Sequence, residues 1–202
     1  MELNNLELER EEKFSLQIVS QSEDEKIVGR ALQIQPNVCA LTPESPAILE
    51  YDVRFDPLKP FECMVELVIE KESGGRWRYQ LTLEATEPDV DDTITIESSI
   101  NHTASVSFKL TNQFREKARF QSEFTTGSSP AFSIFPNIGE LEPYGGEPTK
   151  FIVSFSPTEY GKILTGRLVI CTDEMQWTFD VRGTHPEYIR PVGQARVFSK
   201  NT

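Results

Sequence analysis

The 202-residue chain is short of the residues that most often carry chemistry. It has three cysteines, Cys39, Cys63 and Cys171, and two histidines, His102 and His185. An odd cysteine count at wide spacing does not make a disulfide framework. No CxxC and no Cys/His cluster offers a zinc site. The three thiols read as reduced, half-buried strand residues of a cytosolic protein. Positive charge is also scarce: 20 Lys and Arg stand against 32 Asp and Glu, a formal net charge of −12. Nucleic-acid binders and proteins that sit on anionic membranes need a basic face, so neither partner class is expected. No apolar run approaches the ~20 residues that cross a bilayer. The first 15 residues are charged and lack the apolar core of a signal peptide. Asn101-His102-Thr103 matches a glycosylation sequon, which matters only in a secreted chain.

Catalytic constellations are lacking as well. A hydrolase needs a nucleophile beside a base and an orienting acid, and neither histidine has such neighbours in sequence. Gly145-Gly146 is not followed by Lys-Ser/Thr, so it is not a phosphate loop. No enzymatic activity, catalytic residue, cofactor, metal or small-molecule substrate is therefore expected. Glu87, Asp89, Asp91 and Asp92 cluster between two repeats, where calcium-binding linkers hold several carboxylates. The companion acidic motifs of such linkers are missing, and a solvated acidic hinge is the simpler reading.

What is present is a repeat. Residues 34–57 and 134–157 match without a gap at eight positions, from Ile34/Ile134 through Leu41/Leu141 to Pro57/Pro157. Leu67-Val68-Ile69 then pairs with Leu168-Val169-Ile170. The closing segments align Tyr79–Thr86 with Trp177–Thr184, at an offset reduced to 98 by a longer hairpin at Gly74-Gly75. Two copies of one domain follow. Within them apolar and polar residues alternate strictly: Leu49, Tyr51, Val53 and Phe55; Trp77, Tyr79, Leu81 and Leu83; Ala104, Val106, Phe108 and Leu110. That is the period of a strand with one face on a core. Trp77 and Trp177 fall on the inward face, as core residues and not ligand platforms. Prolines 36, 43 and 57, with their partners, mark strand ends because proline cannot donate to a ladder. No segment beyond the first dozen residues shows a helical stripe.

The pattern reads as an all-β chain of two tandem immunoglobulin-like antiparallel β-sandwiches. The expected division is 1–87 for the first, 88–93 for an acidic linker, 94–185 for the second and 186–202 for a tail or a linker to a further domain. The linker is short and permits a limited range of domain angles. The second copy opens with Thr93-Ile94-Thr95-Ile96, 40 residues before Ile134, whereas only 33 residues precede Ile34. The first copy is therefore expected to lack its opening strand, unless Leu3 to Leu8 supplies a divergent one, and the chain reads as an excerpt from a longer array. Charge is uneven too. Residues 1–88 hold 18 acidic and 9 basic side chains, and residues 89–202 hold 14 and 11.

The second copy carries F-x-I-x-P-x-x-G-x-L-x-P from Phe132 to Pro143, and F-x-V-x-F-x-P-x-x-x-G from Phe151 to Gly161. It continues with G-x-L-x-I-x-T-D from Gly166 to Asp173 and W-x-F-x-V-x-G from Trp177 to Gly183. This resembles the ASPM–SPD-2–Hydin domain, a relative of the major sperm protein and PapD-like folds, over residues 94–184. The first copy departs from it at Cys39, which replaces Gly139, and at Ala85, which replaces Gly183. The resemblance implies a structural scaffold of a ciliary or sperm-flagellar axoneme, around the central apparatus, in contact with other axonemal proteins or with neighbouring domains of one long chain. The fold family also implies an alternative: a receptor for short acidic, phenylalanine-containing peptides. The candidate contact residues for that are Lys109, Arg115, Lys117 and Arg119.

Overall fold

A computed structural model of the chain describes residues 2–3, 6, 8–21, 24–44 and 48–187. The first half builds β1 (Glu2–Leu3), β2 (Glu12–Val19), helix α1 (Glu25–Ala31), β3 (Leu32–Pro36), β4 (Ala40–Leu41), β5 (Leu49–Phe55), β6 (Phe61–Lys71) and β7 (Arg76–Ala85). A three-stranded sheet, β1-β5-β3, faces a four-stranded one, β4-β2-β6-β7. Leu49 and Tyr51 of β5 meet Leu67 and Ile69 of β6 in one buried cluster. Ile27 and Val28 of α1 meet Leu32, Cys63, Val65 and Leu83 in a second.

The second half builds β8 (Asp92–Glu97), β9 (Ala104–Leu110), β10 (Ala118–Phe124), β11 (Phe132–Phe135), β12 (Ile138–Leu141), β13 (Thr149–Phe155), β14 (Leu164–Thr172) and β15 (Gln176–Thr184). Here β11-β13-β9 faces the five-stranded sheet β12-β10-β14-β15-β8. All its pairings are antiparallel except β8 with β15, where Val181 lies opposite Ile94 and Gly183 opposite Ile96. Asp92 and Thr93 already pair in β8, opposite Phe179 and Asp180. Among the described residues β1–β7 pair only with one another, and so do β8–β15. The alternation has its physical counterpart: inward Phe151, Val153 and Phe155 on β13 are fully buried.

Three expectations change. The helix α1 has no counterpart in the sequence pattern; with seven residues it is too short to show a 3.6-residue stripe, and it buries only Ile27, Val28 and Ala31. Cys39 is not a half-buried strand residue: it lies exposed on the bend before β4, while Cys63 is buried on β6 and Cys171 half-buried on β14. The register also moves. Leu41 lies opposite Glu12 and Leu141 opposite Ala118; Phe14 lies opposite Lys71 and Phe120 opposite Thr172. Ile69 then lies opposite Trp77 and Ile170 opposite Trp177. The ladder therefore matches Trp77 with Trp177 and Tyr79 with Phe179, an offset of 100 in the closing strand. A slip of two residues leaves every side chain on its own face, so alternation alone cannot distinguish the two registers. Of the expected tail, residues 188–202 lie outside the described residues.

Phenylalanine dominates the second core. Phe151 lies 5.0 Å from Phe120 and 5.5 Å from Phe108, and Phe155 lies 5.1 Å from Phe132, between ring centroids. Two glycines of the quoted motif exist because of these rings. A Cβ on Gly183 would stand 2.4 Å from the Phe155 ring, and one on Gly139 would stand 2.8 Å from the Phe120 ring. Neither ring is free to retreat from a packed core. Gly183→Ala is expected to destabilise the second sandwich by about 1–3 kcal/mol through overpacking, measured by denaturant unfolding.

The first sandwich holds a buried carboxylate instead. Glu12 on β2 accepts hydrogen bonds from the Ser73 amide at 3.2 Å and from Arg10 Nε at 3.2 Å, anchoring the β6–β7 turn. Hydrogen bonding from the Ser73 side chain first, then from Arg10 and the Ser73 amide, outweighs burial and holds its carboxyl below the usual range. A lowered folded-state pKa gives stability that is present above the unfolded carboxylate range and lost as pH falls through the folded value. Glu12→Gln should therefore cost stability at neutral pH and flatten the acid limb of a stability-against-pH profile, read by thermal melts from neutral pH into the carboxylate range.

Candidate interaction site: the junction and the open edge

The two sheet systems meet at the turn between β14 and β15. Thr172 builds that turn: its hydroxyl accepts from the Met175 amide at 2.9 Å, and its own amide donates to Met175 O at 2.8 Å. The first sandwich grips it with the β5–β6 loop. Lys59 Nζ donates to Thr172 O and Asp173 O, both at 3.2 Å, and the Gln176 amide donates to Leu58 O at 2.9 Å. Leu58 packs against the second core. From α1, Arg30 Nε reaches Glu174 at 3.1 Å while its guanidinium lies 4.5 Å over the Phe114 ring.

The connection between β7 and β8 is held to the same strand. Asp91 exchanges two hydrogen bonds with Thr178: its amide donates to Thr178 O at 2.8 Å, and its carboxylate accepts from the Thr178 amide at 2.7 Å. Glu87 accepts from Gln176 Nε2 at 3.2 Å, and Asp92 accepts from the Thr93 amide at 2.7 Å. Three of the four clustered carboxylates thus have donors. The sequence signal for the grip was available in Pro57-Leu58-Lys59-Pro60, an apolar residue bracketed by prolines in a polar loop. Nothing in the sequence marks Arg30 or Glu174.

The β7 edge is the second feature. On β15, Trp177, Phe179 and Val181 are all buried, and the strand is flanked by β14 and β8. On β7, the register-matched Trp77, Tyr79 and Leu81 are each half-buried, and among the described residues β7 has β6 alone for a partner. Trp77 keeps a core role, packing on the first cluster with its ring 6.3 Å from Phe14. The outward Arg76 and Arg78 turn to Glu70 at 3.0 Å and Glu66 at 3.5 Å, side chains of β6.

The four candidate contact residues divide. Lys117, just before β10, and Arg119, within it, reach Glu142 at 2.8 Å and Glu140 at 3.4 Å, just after and within β12. The Glu142 bond and charge raise the Lys117 pKa. Arg115 is exposed in the loop between β9 and β10. Lys109 belongs to β9 in the opposite sheet, beside Lys150. His102 is exposed. His185 Nδ1 lies 3.1 Å from Ser98 O, and its ring is 5.3 Å from that of Tyr160.

Two outcomes follow. Leu58→Ala combined with Lys59→Ala should loosen the junction by about 1–3 kcal/mol of coupling between half-buried leucine and charged contacts. The readout is faster proteolysis within 86–91. Cys39, exposed, should alkylate well ahead of Cys63 and Cys171, whose thiol pKa values burial pushes up; Cys39→Ser should remove the fast phase of a thiol-labelling trace.

The profile of the CFAP47-like, immunoglobulin-like domain matches residues 1–86. Cilia and flagella-associated protein 47 of Mus musculus is 38% identical over 139 residues, 68% of this chain and 4% of that protein. Cilia- and flagella-associated protein 47 of Homo sapiens is 34% identical over 142 residues, 70% of this chain and 4% of that protein. The chain thus spans about 4% of the length of the curated relatives it matches. Among solved structures, SSP-19, an MSP-domain protein of Caenorhabditis elegans, is 14% identical, covering 47% of this chain and 94% of its own, with a TM-score of 0.34. Residues 1–86 thus match the CFAP47-like, immunoglobulin-like domain, and over about 70% of its length the chain is similar to cilia- and flagella-associated protein 47.

Proposed function

We propose that the chain is a non-enzymatic scaffold segment of the axoneme of a cilium or sperm flagellum, at the central apparatus, made of two sandwich units that contact other axonemal proteins. Kinship to cilia- and flagella-associated proteins supports the setting. The observation that carries the scaffold reading is the gripped junction. Lys59, Leu58 and Arg30 of the first unit hold the β14–β15 turn of the second, and Asp91 ties the connection to Thr178. A short connection fixed at both ends transmits position between units, which suits a spacer or bracket. Fold alone does not assign function, so the assignment leans on the junction and on the relatives together.

The alternative, a receptor for acidic phenylalanine-containing peptides, needs cations available to a ligand. Lys117 and Arg119 are matched by glutamates, and Lys109 lies on the other sheet, so scaffolding is the preferred reading.

The test is placement. Tagged protein in motile cilia or sperm tails should stay with the axoneme after detergent extraction, and should be lost from axonemes that lack the central pair. Release of the tag with the membrane and matrix fraction would overturn the scaffold assignment. Retention in axonemes without a central pair would overturn the central-apparatus assignment.

A further inference from the structure

We infer that the β7 edge of the first sandwich is a strand-acceptor site, completed by an extended peptide segment of the β8 type running parallel to β7. The two copies are each other's control. In the second, β8 lies parallel along β15, with Ile94 opposite Val181 and Ile96 opposite Gly183. Ile96 is buried in that core, and Trp177, Phe179 and Val181 are buried with it. In the first, the same ladder positions are Trp77, Tyr79 and Leu81, and all three remain half-buried. Leu83 is buried, because α1 and Cys63 cover that end of the strand. Among the described residues the uncovered stretch is therefore the one a β8-type strand would shield.

The edge also lacks the usual protection. Exposed edges are commonly blunted by proline, lysine, a bulge or extreme shortness. Strand β7 runs for ten residues, Arg76–Ala85, with neither proline nor lysine, and pairs with β6 rung by rung without a bulge from Arg76 to Ala85. Its two arginines are directed to glutamates of β6, away from the free edge.

The occupant is defined by chemistry. Thr93-Ile94-Thr95-Ile96 shows what the geometry takes: β-branched apolar residues on the inward face and hydroxyl residues on the outward one. Main-chain bonds would give affinity and the inward pair specificity. An antiparallel hairpin partner is not the match, since the sister edge receives its strand in parallel. This inference goes beyond the scaffold reading by naming a contact site and the chemistry of its partner. It stands or falls in vitro, independently of where the protein resides.

The probe is a synthetic peptide covering residues 90–99, added to the whole 202-residue chain and followed by hydrogen exchange. The expected result is protection of β7 amides by about tenfold or more, with β15 unchanged, since ligand binding to an open edge closes local fluctuations. A peptide with proline at the position of Thr95, or with aspartate at those of Ile94 and Ile96, should give no such protection. Three results would overturn the inference: no protection of β7 at saturating peptide, protection by the proline and aspartate peptides alike, or β7 protection that rises with protein concentration before any peptide is added. The last would make a second copy of the chain the occupant.

Discussion

The parallel pairing of β8 with β15 is the constraint from which the second sandwich and the junction both follow. Parallel neighbours cannot be joined by a tight hairpin, so β8 must arrive from outside the hairpin order and be set in place by its approach. Asp91 does that, with two hydrogen bonds to Thr178 at the point where pairing begins. The same few residues of β15 receive the first sandwich, through Gln176 on Leu58 and Glu87. Internal closure of one unit and attachment of the other thus share a strand end. Each neutral bond contributes only about 0.5–1.5 kcal/mol, and a half-exposed pair such as Arg30–Glu174 less than about 1 kcal/mol. The junction holds because several such contacts, plus Leu58, converge on one turn.

The two copies solve the same packing problem differently. The second uses phenylalanine rings laid over glycine, which is why Gly139 and Gly183 tolerate no side chain. The first has Cys39 and, in the ladder register, Leu83 at the corresponding positions, and Phe55 packs edge-on against Phe61. Its core separates into two clusters, one between the sheets and one under α1. The segment between β10 and β11 is a loop at 125–131, whereas the equivalent stretch in the first copy holds α1. The helix covers one end of β7 only, which is why Leu83 is buried and Leu81 half-buried.

Much of this was legible in the residues. Strict alternation located the strands, and the gap-free block from Ile34 to Pro57 tied the copies together. The family pattern from Phe132 to Gly183 named the fold. Three things were not legible, for physical reasons. A seven-residue helix cannot show a stripe. A two-residue slip is invisible to a two-residue period, so alternation matches Tyr79 to Trp177 as well as to Phe179, where the ladder places it. And a cation's partner across the fold leaves no local mark: Lys117 and Arg119 read as a basic patch until β12 brings Glu142 and Glu140 alongside. The junction was half-legible, since Leu58 and Lys59 stand out in their loop but Thr172 and Asp173 give no sign of accepting them.

The junction and the open edge belong to one arrangement. Strand β7 leads through 86–91 into β8, and β8 closes the sandwich that follows, not the one it leaves. In the second unit the opening strand seals the edge of the closing strand, whereas in the first β1 pairs with β5 in the opposite sheet. Among the described residues β7 has no such strand, and Trp77, Tyr79 and Leu81 on its inward face stay half-buried. A ten-residue strand with three half-buried apolar side chains and no guarding proline, lysine or bulge is the surface that the proposed donor strand would cover.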